Sequence, residues 1–225
     1  MRDRTGAAFE RAFWSGDVAP ALGAHFHPDA QLTVIFAGAR SFEIRSQHFT
    51  ARAGQCLYIP AAAPHKSLPL AYADTNCLNI YAPDFNLGRS PLVFDAGPLA
   101  GDARDADPAA LLSLIRRQAT SAVERGVASP PPRGFEWRRA TIGEIAARNG
   151  ASREAFSRKF AAEFGMPPHA YRIVDRLNAA RRRLAEGDSL AALAAEFDFA
   201  DQSHFGRHFR RVFGVTPRDY RESMR

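Results

Sequence analysis

The 225-residue sequence predicts an α+β chain, a β-rich N-terminal part followed by an all-α part. Short runs rich in Val, Ile, Phe and Thr, punctuated by Gly and Pro, occupy the first third of the chain, which is the pattern of a sandwich or small barrel. Beyond residue 134 strand signals almost vanish and helix starts and stops recur. A third observation is an internal repeat within that helical part. With 46% hydrophobic and 24% charged residues, the composition excludes a disordered or collagen-like chain.

Strands are expected at 31–37, 41–45, 48–51 and 56–59, separated by Gly38, Gly54 and Pro60. A helix follows over 107–125, with Asp107 as N-cap, Pro108 at its first position, Leu111, Ile115, Ala119 and Ala122 on one stripe, and Gly126 as stop. That stripe can pack on the β-rich part, on a second subunit or on the helical part. Residues 128–134, ASPPPRG, suit neither a helix nor a sheet interior and read as a linker. The expected division is therefore 1–105, a β-rich sensing or dimerisation domain; 106–134, helix and linker; and 135–225, the helical domain.

In the helical part, Thr141 with Glu144 forms a capping box, Ser152 and Asp201 are N-caps, Gly165 and Gly214 are C-terminal stops, and Thr216-Pro217 starts a last helix. Phe156, Arg158, Phe160, Phe164, Gly165, Pro168, Tyr171 and Arg172 recur 49 residues later as Phe205, Arg207, Phe209, Phe213, Gly214, Pro217, Tyr220 and Arg221. Ile142, Ile145 and Ala146 recur at an offset of 48 as Leu190, Leu193 and Ala194. Each copy reads as a short helix, a turn and a longer helix, the helix-turn-helix plan. The phenylalanines, four residues apart, face inward. The opposite faces carry Ser152, Arg153, Glu154, Ser157, Arg158 and Lys159 in the first copy, and Gln202, Ser203, His204, Gly206, Arg207, Arg210 and Arg211 in the second. Between the copies, 168–186 should form one helix about 28 Å long, a length that can hold two recognition helices about 34 Å apart, the spacing of successive major grooves.

Charge is distributed accordingly. Of 30 basic residues 28 are arginine; residues 1–134 hold 13 basic and 12 acidic side chains, and residues 135–225 hold 17 and 12. The excess of cations sits on the helical part and suits an anionic partner. Arg153, Arg158, Gln202 and Arg207 can hydrogen-bond base edges, while serines and the other arginines suit phosphates. Along the connecting helix Arg172, Arg176, Arg181, Arg182 and Arg183 can serve either as phosphate clamps or as solvated surface.

Residues 141–225 resemble the duplicated helix-turn-helix domain of the AraC/XylS family of bacterial transcription regulators. The resemblance is carried by DQSHFGRHFRRVFGVTPRDYR at 201–221 and RLNAA at 176–180. One departure is Asp198, where the family generally has glycine; aspartate tolerates the left-handed backbone better than most residues. The resemblance implies binding of a double-stranded DNA operator, as activator or repressor.

In the N-terminal part, His25-Phe26-His27, Gln31, Gly38, Gly54, Pro60 and His65 have the spacing of the two cupin motifs, in which histidines and an acid converge on a metal inside a barrel. The fold implied is a cupin-like β-barrel. His25 and His27 project to one side of an extended segment, as chelation requires. Gln31 stands where metal-binding cupins generally have glutamate, and an amide is a poorer cation ligand than a carboxylate; Ala62 replaces a motif glycine. His25, His27, Gln31 and His65 are thus expected to line an effector pocket, holding either a carboxylate or sugar effector or a divalent metal (Zn, Ni, Mn or Fe). His48 lies outside the pattern, as a strand or surface residue. Within the AraC type such a domain generally binds a small effector, dimerises, or both, so a homodimer is expected. A metal-dependent cupin enzyme with a helical appendage is the competing reading, and it lacks an acid–base pair beside the histidines. Cys56 and Cys77 lack metal-site spacing and read as reduced core thiols. No run approaches the roughly 20 apolar residues of a membrane span, and the mixed-charge start, MRDRTG, is unlike a secretory leader; a cytoplasmic protein is expected.

Overall fold

The computed structural model describes residues 10–18, 22–69, 71–83, 85–97, 107–119, 137 and 140–224. Its contacts divide the chain into two compact units that part at Pro130/Pro131, with the stretch Leu22–His25 counted with the second.

The β-rich part is built on antiparallel strands: β1 (Glu10–Val18), β2 (Leu22–His25), β3 (Ala30–Ala37), β4 (Ala39–Ile44), β5 (Gln47–Arg52), β6 (Gln55–Ile59), β7 (His65–Leu68), β8 (Ala71–Ala82) and β9 (Leu92–Asp95). They form a five-stranded sheet, β1-β8-β3-β6-β9, and a four-stranded sheet, β2-β7-β4-β5. The four strands expected from the sequence are β3 to β6, with shifted ends. Arg45 and Ser46 lie outside β4 with φ of 50° and 62° and link Ile44 to its partner Gln47, a tight turn with both residues left-handed. No Asn-Gly signal marks that turn in the sequence.

β3 sits between β8 and β6, and its residues 30–35 are buried on both faces of the sheet. One face, with Leu32, Val34, Tyr58, Leu78 and Ile80, is covered by Leu111, Ile115 and Ala119 of α1 (Pro108–Ala119). The apolar stripe of that helix thus packs on the β-rich unit, which decides among the three possibilities; Ala122, Gly126 and the 128–134 linker lie outside the described residues. On the other face Ile35, Leu57, Ile59 and Cys77 meet Phe42, Ile44 and Ala51 of the smaller sheet. Cys56 and Cys77 are buried free thiols, and burial pushes both above the usual thiol range. Gly38, between β3 and β4, has φ 67°, and a Cβ there would lie 2.1 Å from Thr75 Oγ1. Only glycine fits that crossing, which sets the register of β4.

The helical unit comprises α2 (Ile142–Arg148), α3 (Arg153–Phe164), α4 (Pro168–Ala185), α5 (Leu190–Glu196), α6 (Gln202–Phe213) and α7 (Pro217–Ser223). Local chemistry sets each start. Thr141 N donates to Glu144 Oε2 at 2.6 Å and Glu144 N to Thr141 Oγ1 at 3.1 Å, the reciprocal box. Ser152, Ser189, Asp201 and Thr216 each accept from a backbone N–H three residues on. Gly165 and Gly214 close α3 and α6 in the left-handed conformation, with φ 72° and 78°. Gly150 (φ 63°) and Asp198 (φ 56°), 48 residues apart, hold the two equivalent turns. Asp198 takes the backbone its glycine counterpart would.

Candidate nucleic-acid interface and buried histidine cluster

The repeat produces two similar cores. In the first copy Phe160 is buried, flanked by Phe156 at 5.9 Å, Phe164 at 4.5 Å and Tyr171 at 5.6 Å between ring centroids. Trp137, which the sequence reasoning passed over, stacks on Phe160 at 5.3 Å and 10°. In the second copy Phe209 is fully buried, with Phe205 at 5.6 Å, Phe213 at 4.6 Å and Tyr220 at 5.6 Å. Anchoring one face in this way turns the other outward. Ser152, Arg153, Glu154, Arg158 and Lys159 are exposed and Ser157 half-buried; Gln202, Ser203, Arg207, Arg210 and Arg211 are exposed, with Gly206 and His204 half-buried. Each set therefore lies on one accessible face with its backbone fixed by caps at both ends.

His204 is more constrained than its neighbours. Its Nδ1 accepts from Ala200 N at 3.2 Å, and its Nε2 lies 3.0 Å from His208 Nε2. The first bond places the proton of His204 on Nε2, which then donates to His208. Both rings rest on Phe199. Burial first, then the neighbouring His204 and arginines, lower the His208 pKa.

Most of the connecting-helix arginines turn out to hold the fold. Arg172 Nη1 donates to Ala140 O at 2.8 Å. Arg176 Nη1 donates to the carbonyls of Phe197 and Asp198, at 3.1 and 3.0 Å, and its guanidinium lies over Phe199, which pins the second turn. Arg181 is buried over the rings of Phe213 and Tyr220. Arg183 pairs with Asp188 and with Glu196. Of the five, only Arg182 is exposed. Sequence alone shows a basic helix; the carbonyls, rings and carboxylates that occupy these cations are brought up by the fold.

In the β-rich part, His25, His27 and His65 converge, all buried, with one ligand nitrogen of each within 4.8 Å of the others. His25 Nδ1 lies 2.8 Å from Gly23 O, and His65 Nδ1 2.9 Å from Ala63 O. These carbonyls fix the proton on Nδ1 and leave Nε2 as the electron-pair donor, the arrangement metal-binding histidines use. Burial, against a smaller opposing effect of the Gly23 carbonyl, brings His25 down to about 4 from 6.5. The ring of His27 lies 4.4 Å from that of Tyr81, and Tyr81 pairs with Gln31 across β8 and β3, so Gln31 faces the same side. Gln31 Nε2 donates to Thr33 Oγ1 at 3.0 Å and Asn79 Oδ1 at 3.2 Å, while its buried Oε1 has no hydrogen-bond partner. Ala62, at the position of the motif glycine, takes φ 58° and donates to His27 O at 2.7 Å. His48 is exposed, 3.7 Å from Glu43. Three imidazoles of neutral tautomer can hold a divalent cation, for which N–metal distances near 2.0–2.1 Å are typical.

Residues 145–223 match the family described as a helix-turn-helix domain. The HTH-type transcriptional regulator Rv1931c of Mycobacterium tuberculosis is 34% identical over 134 residues, 57% of this chain and 49% of that protein. An AraC-like transcription regulator of Streptomyces antibioticus is 34% identical over 83 residues, 36% of this chain and 27% of its own length. Residues 145–223 thus carry a helix-turn-helix domain, and the relatives that the chain resembles are AraC-like or HTH-type transcription regulators. The chain spans about half or less of the length of these curated relatives. The fold is similar to that of ToxT from Vibrio cholerae, solved with an unsaturated fatty acid bound: the TM-score is 0.60 at 12% identity, with 98% of this chain and 96% of that one covered. These relatives are transcription regulators, which speaks against the enzyme reading. Among the described residues no helix is long and apolar enough to cross a membrane.

Proposed function

We propose that this chain is a regulator of the AraC/XylS type that binds a double-stranded DNA operator sequence-specifically, as a cytoplasmic homodimer, and responds to a small effector held in its β-rich part. The observation that carries the reading is the duplicated cap-to-cap geometry, in which buried phenylalanines hold two arginine-bearing helix faces toward solvent. On this reading α3 and α6 enter successive major grooves, with Arg153, Arg158, Gln202 and Arg207 reading base edges and Ser152, Ser157, Lys159, Ser203, Arg210 and Arg211 holding phosphates. Glu154, His204 and Gly206 complete the contacting surface. The 18 residues of α4, about 27 Å at 1.5 Å per residue, suit that spacing.

The two sheets close into a cupin-like barrel, with His25, His27, Gln31 and His65 lining the effector site. The convergence of three buried imidazoles favours a second use of that site, a divalent ion such as zinc, nickel, manganese or iron. Its effect on transcription follows if the ligand prefers one of two arrangements of the protein, since differential affinity is what shifts a population.

A gel-shift series over genomic fragments tests the DNA reading. A specific fragment should bind at least 10³-fold more tightly than random duplex, and Arg207→Ala should lower that ratio. Equal affinity for every fragment, or no effect of Arg158→Ala and Arg207→Ala together, would overturn it.

A further inference from the structure

Gly206 stands in the interior of α6, without the positive φ that asks for glycine. After proline, glycine is the least favourable residue in a helix, because it gives up the most backbone freedom on folding. Among the described residues no packing neighbour requires it either, since a Cβ added at Gly206 would meet nothing within 4 Å. The repeat supplies a second observation. Gly206 is the counterpart, 49 residues on, of Ser157, which sits between Phe156 and Arg158 as Gly206 sits between Phe205 and Arg207. Ser157 lies in α3, a helix of the same length with the same kinds of cap. One local fold therefore carries a side chain at this position in the first copy and none in the second.

The surroundings indicate what the missing side chain leaves room for. Gln202, Gly206 and Arg210 follow one another at intervals of four, a single row along the helix. Gln202, Ser203, Arg207 and Arg210 are exposed, while Phe205 and Phe209 on the other side are fully buried. Gly206 is thus a notch in the middle of the polar face, bounded along its row by two long hydrogen-bonding side chains. Its own N–H and C=O belong to the helix ladder, so it offers a partner neither donor nor acceptor. Whatever meets it is recognised by shape. On the major-groove edges of the base pairs all the distinguishing groups are donors or acceptors except the C5-methyl of thymine, an apolar projection of one carbon. A missing Cβ and an added methyl are complementary in size.

We propose that Gly206 is a specificity-determining residue of α6, a notch that receives the C5-methyl of one thymine of the operator. This rests on the DNA-binding reading of the two helix faces and names a base that the second of them selects. Ser157, at the same place on α3, presents a hydroxyl that serves any base, so the two helices read by different means. The stability given up at Gly206 is exchanged for close approach to the groove.

The test uses the full chain and the genomic fragment that it binds most tightly, beside random duplex. Gly206→Ala should raise the melting temperature by about 3–8 °C and weaken the chosen fragment by about fivefold or more, with random duplex unchanged. Gly206→Ser, which copies Ser157, should fold and weaken the fragment likewise. The methyl is then removed from the DNA instead, each thymine of the fragment being replaced in turn by deoxyuridine. At one thymine the replacement should weaken the unsubstituted chain about fourfold, the worth of one buried methyl-sized group, and should strengthen binding of Gly206→Ala. A Gly206→Ala chain that binds the fragment undiminished, that loses fragment and random duplex equally, or that fails to fold would overturn the proposal, as would the lack of any thymine at which the two proteins respond with opposite sign. Arg158→Ala and Arg207→Ala on the same fragment separate the two levels: if they weaken it and Gly206→Ala does not, the notch is wrong and the DNA-binding reading stands, whereas no change in any of the three removes both.

Discussion

Phe209 and Arg207 lie two residues apart on α6, yet the structure assigns them separable roles, and substituting each isolates one. Phe209 has no exposed surface and touches the rings of Phe205, Phe213 and Tyr220. Phe209→Ala removes a buried aromatic side chain and leaves a cavity that three rings cannot collapse into, a cost of about 4 kcal/mol within the usual 3–5. For a unit of this size that lowers the melting temperature by roughly 15–30 °C, at about 4–8 °C per kcal/mol. Phe209→Leu keeps most of the volume and should cost about 1.5 kcal/mol or less. Arg207 is exposed and is held by no ion pair among the described residues, so Arg207→Ala should leave stability within about 0.5 kcal/mol. Its loss should appear instead in operator affinity, at about 1–3 kcal/mol for a base-reading arginine. Thermal and urea unfolding followed by circular dichroism, with gel shifts on the same samples, measure both. A Phe209→Ala chain destabilised by less than about 1 kcal/mol, or an Arg207→Ala chain that loses stability and retains its DNA, would refute this assignment of faces.

Three further outcomes follow. Arg183→Ala and Asp188→Ala should lower the melting temperature of the helical unit while leaving the slope of log affinity against log salt unchanged, because Arg183 is occupied by Asp188 and Glu196; a slope reduced by about one would restore a phosphate-clamp role. Ile115→Ala should cost about 3 kcal/mol in urea unfolding, since the side chain is fully buried between α1 and the larger sheet, and a loss near zero would mean α1 packs elsewhere. His25, brought to about 4 by burial, refuses a proton that the unfolded chain accepts below 6.5. Stability should therefore decline as pH falls from 6.5 toward 4, by at most about 3 kcal/mol, with no such contribution above 6.5; His25→Gln should flatten that part of the profile, and an unchanged profile would contradict the cause.

The helical half was legible because its information is local. Thr141 and Glu144, Ser152, Asp201, Gly165 and Gly214 act within a few residues of themselves, and the spacing of the phenylalanines sets the buried face without reference to anything distant. The β-rich half was legible only where strands are apolar throughout, as in β3. β8, its longest strand, carries Thr75, Asn76 and Asn79, and its polar positions look like loop in a linear reading. Asn79 and Thr75 are polar because they bond Thr33, Gln31 and the start of β4 across the sheet. Arg40, buried in β4, escaped notice for a related reason: the expected strand began at Ser41, one residue past it, and an arginine before a strand reads as surface. Extending the two-residue alternation of Phe42 and Ile44 back by one step would have placed it inside. The connecting-helix arginines show the opposite limit, because Arg183 has partners 5 and 13 residues away that only the turn after α4 brings within reach.

The most direct test of the account is footprinting of the full chain on an operator isolated from genomic fragments. Protection of two major-groove segments about one helical turn apart on the same side of the duplex, the promoter-distal or promoter-proximal one lost selectively with Arg158→Ala and the other with Arg207→Ala, is the predicted result. A single protected segment insensitive to one of the two helices, or protection independent of sequence, would contradict it.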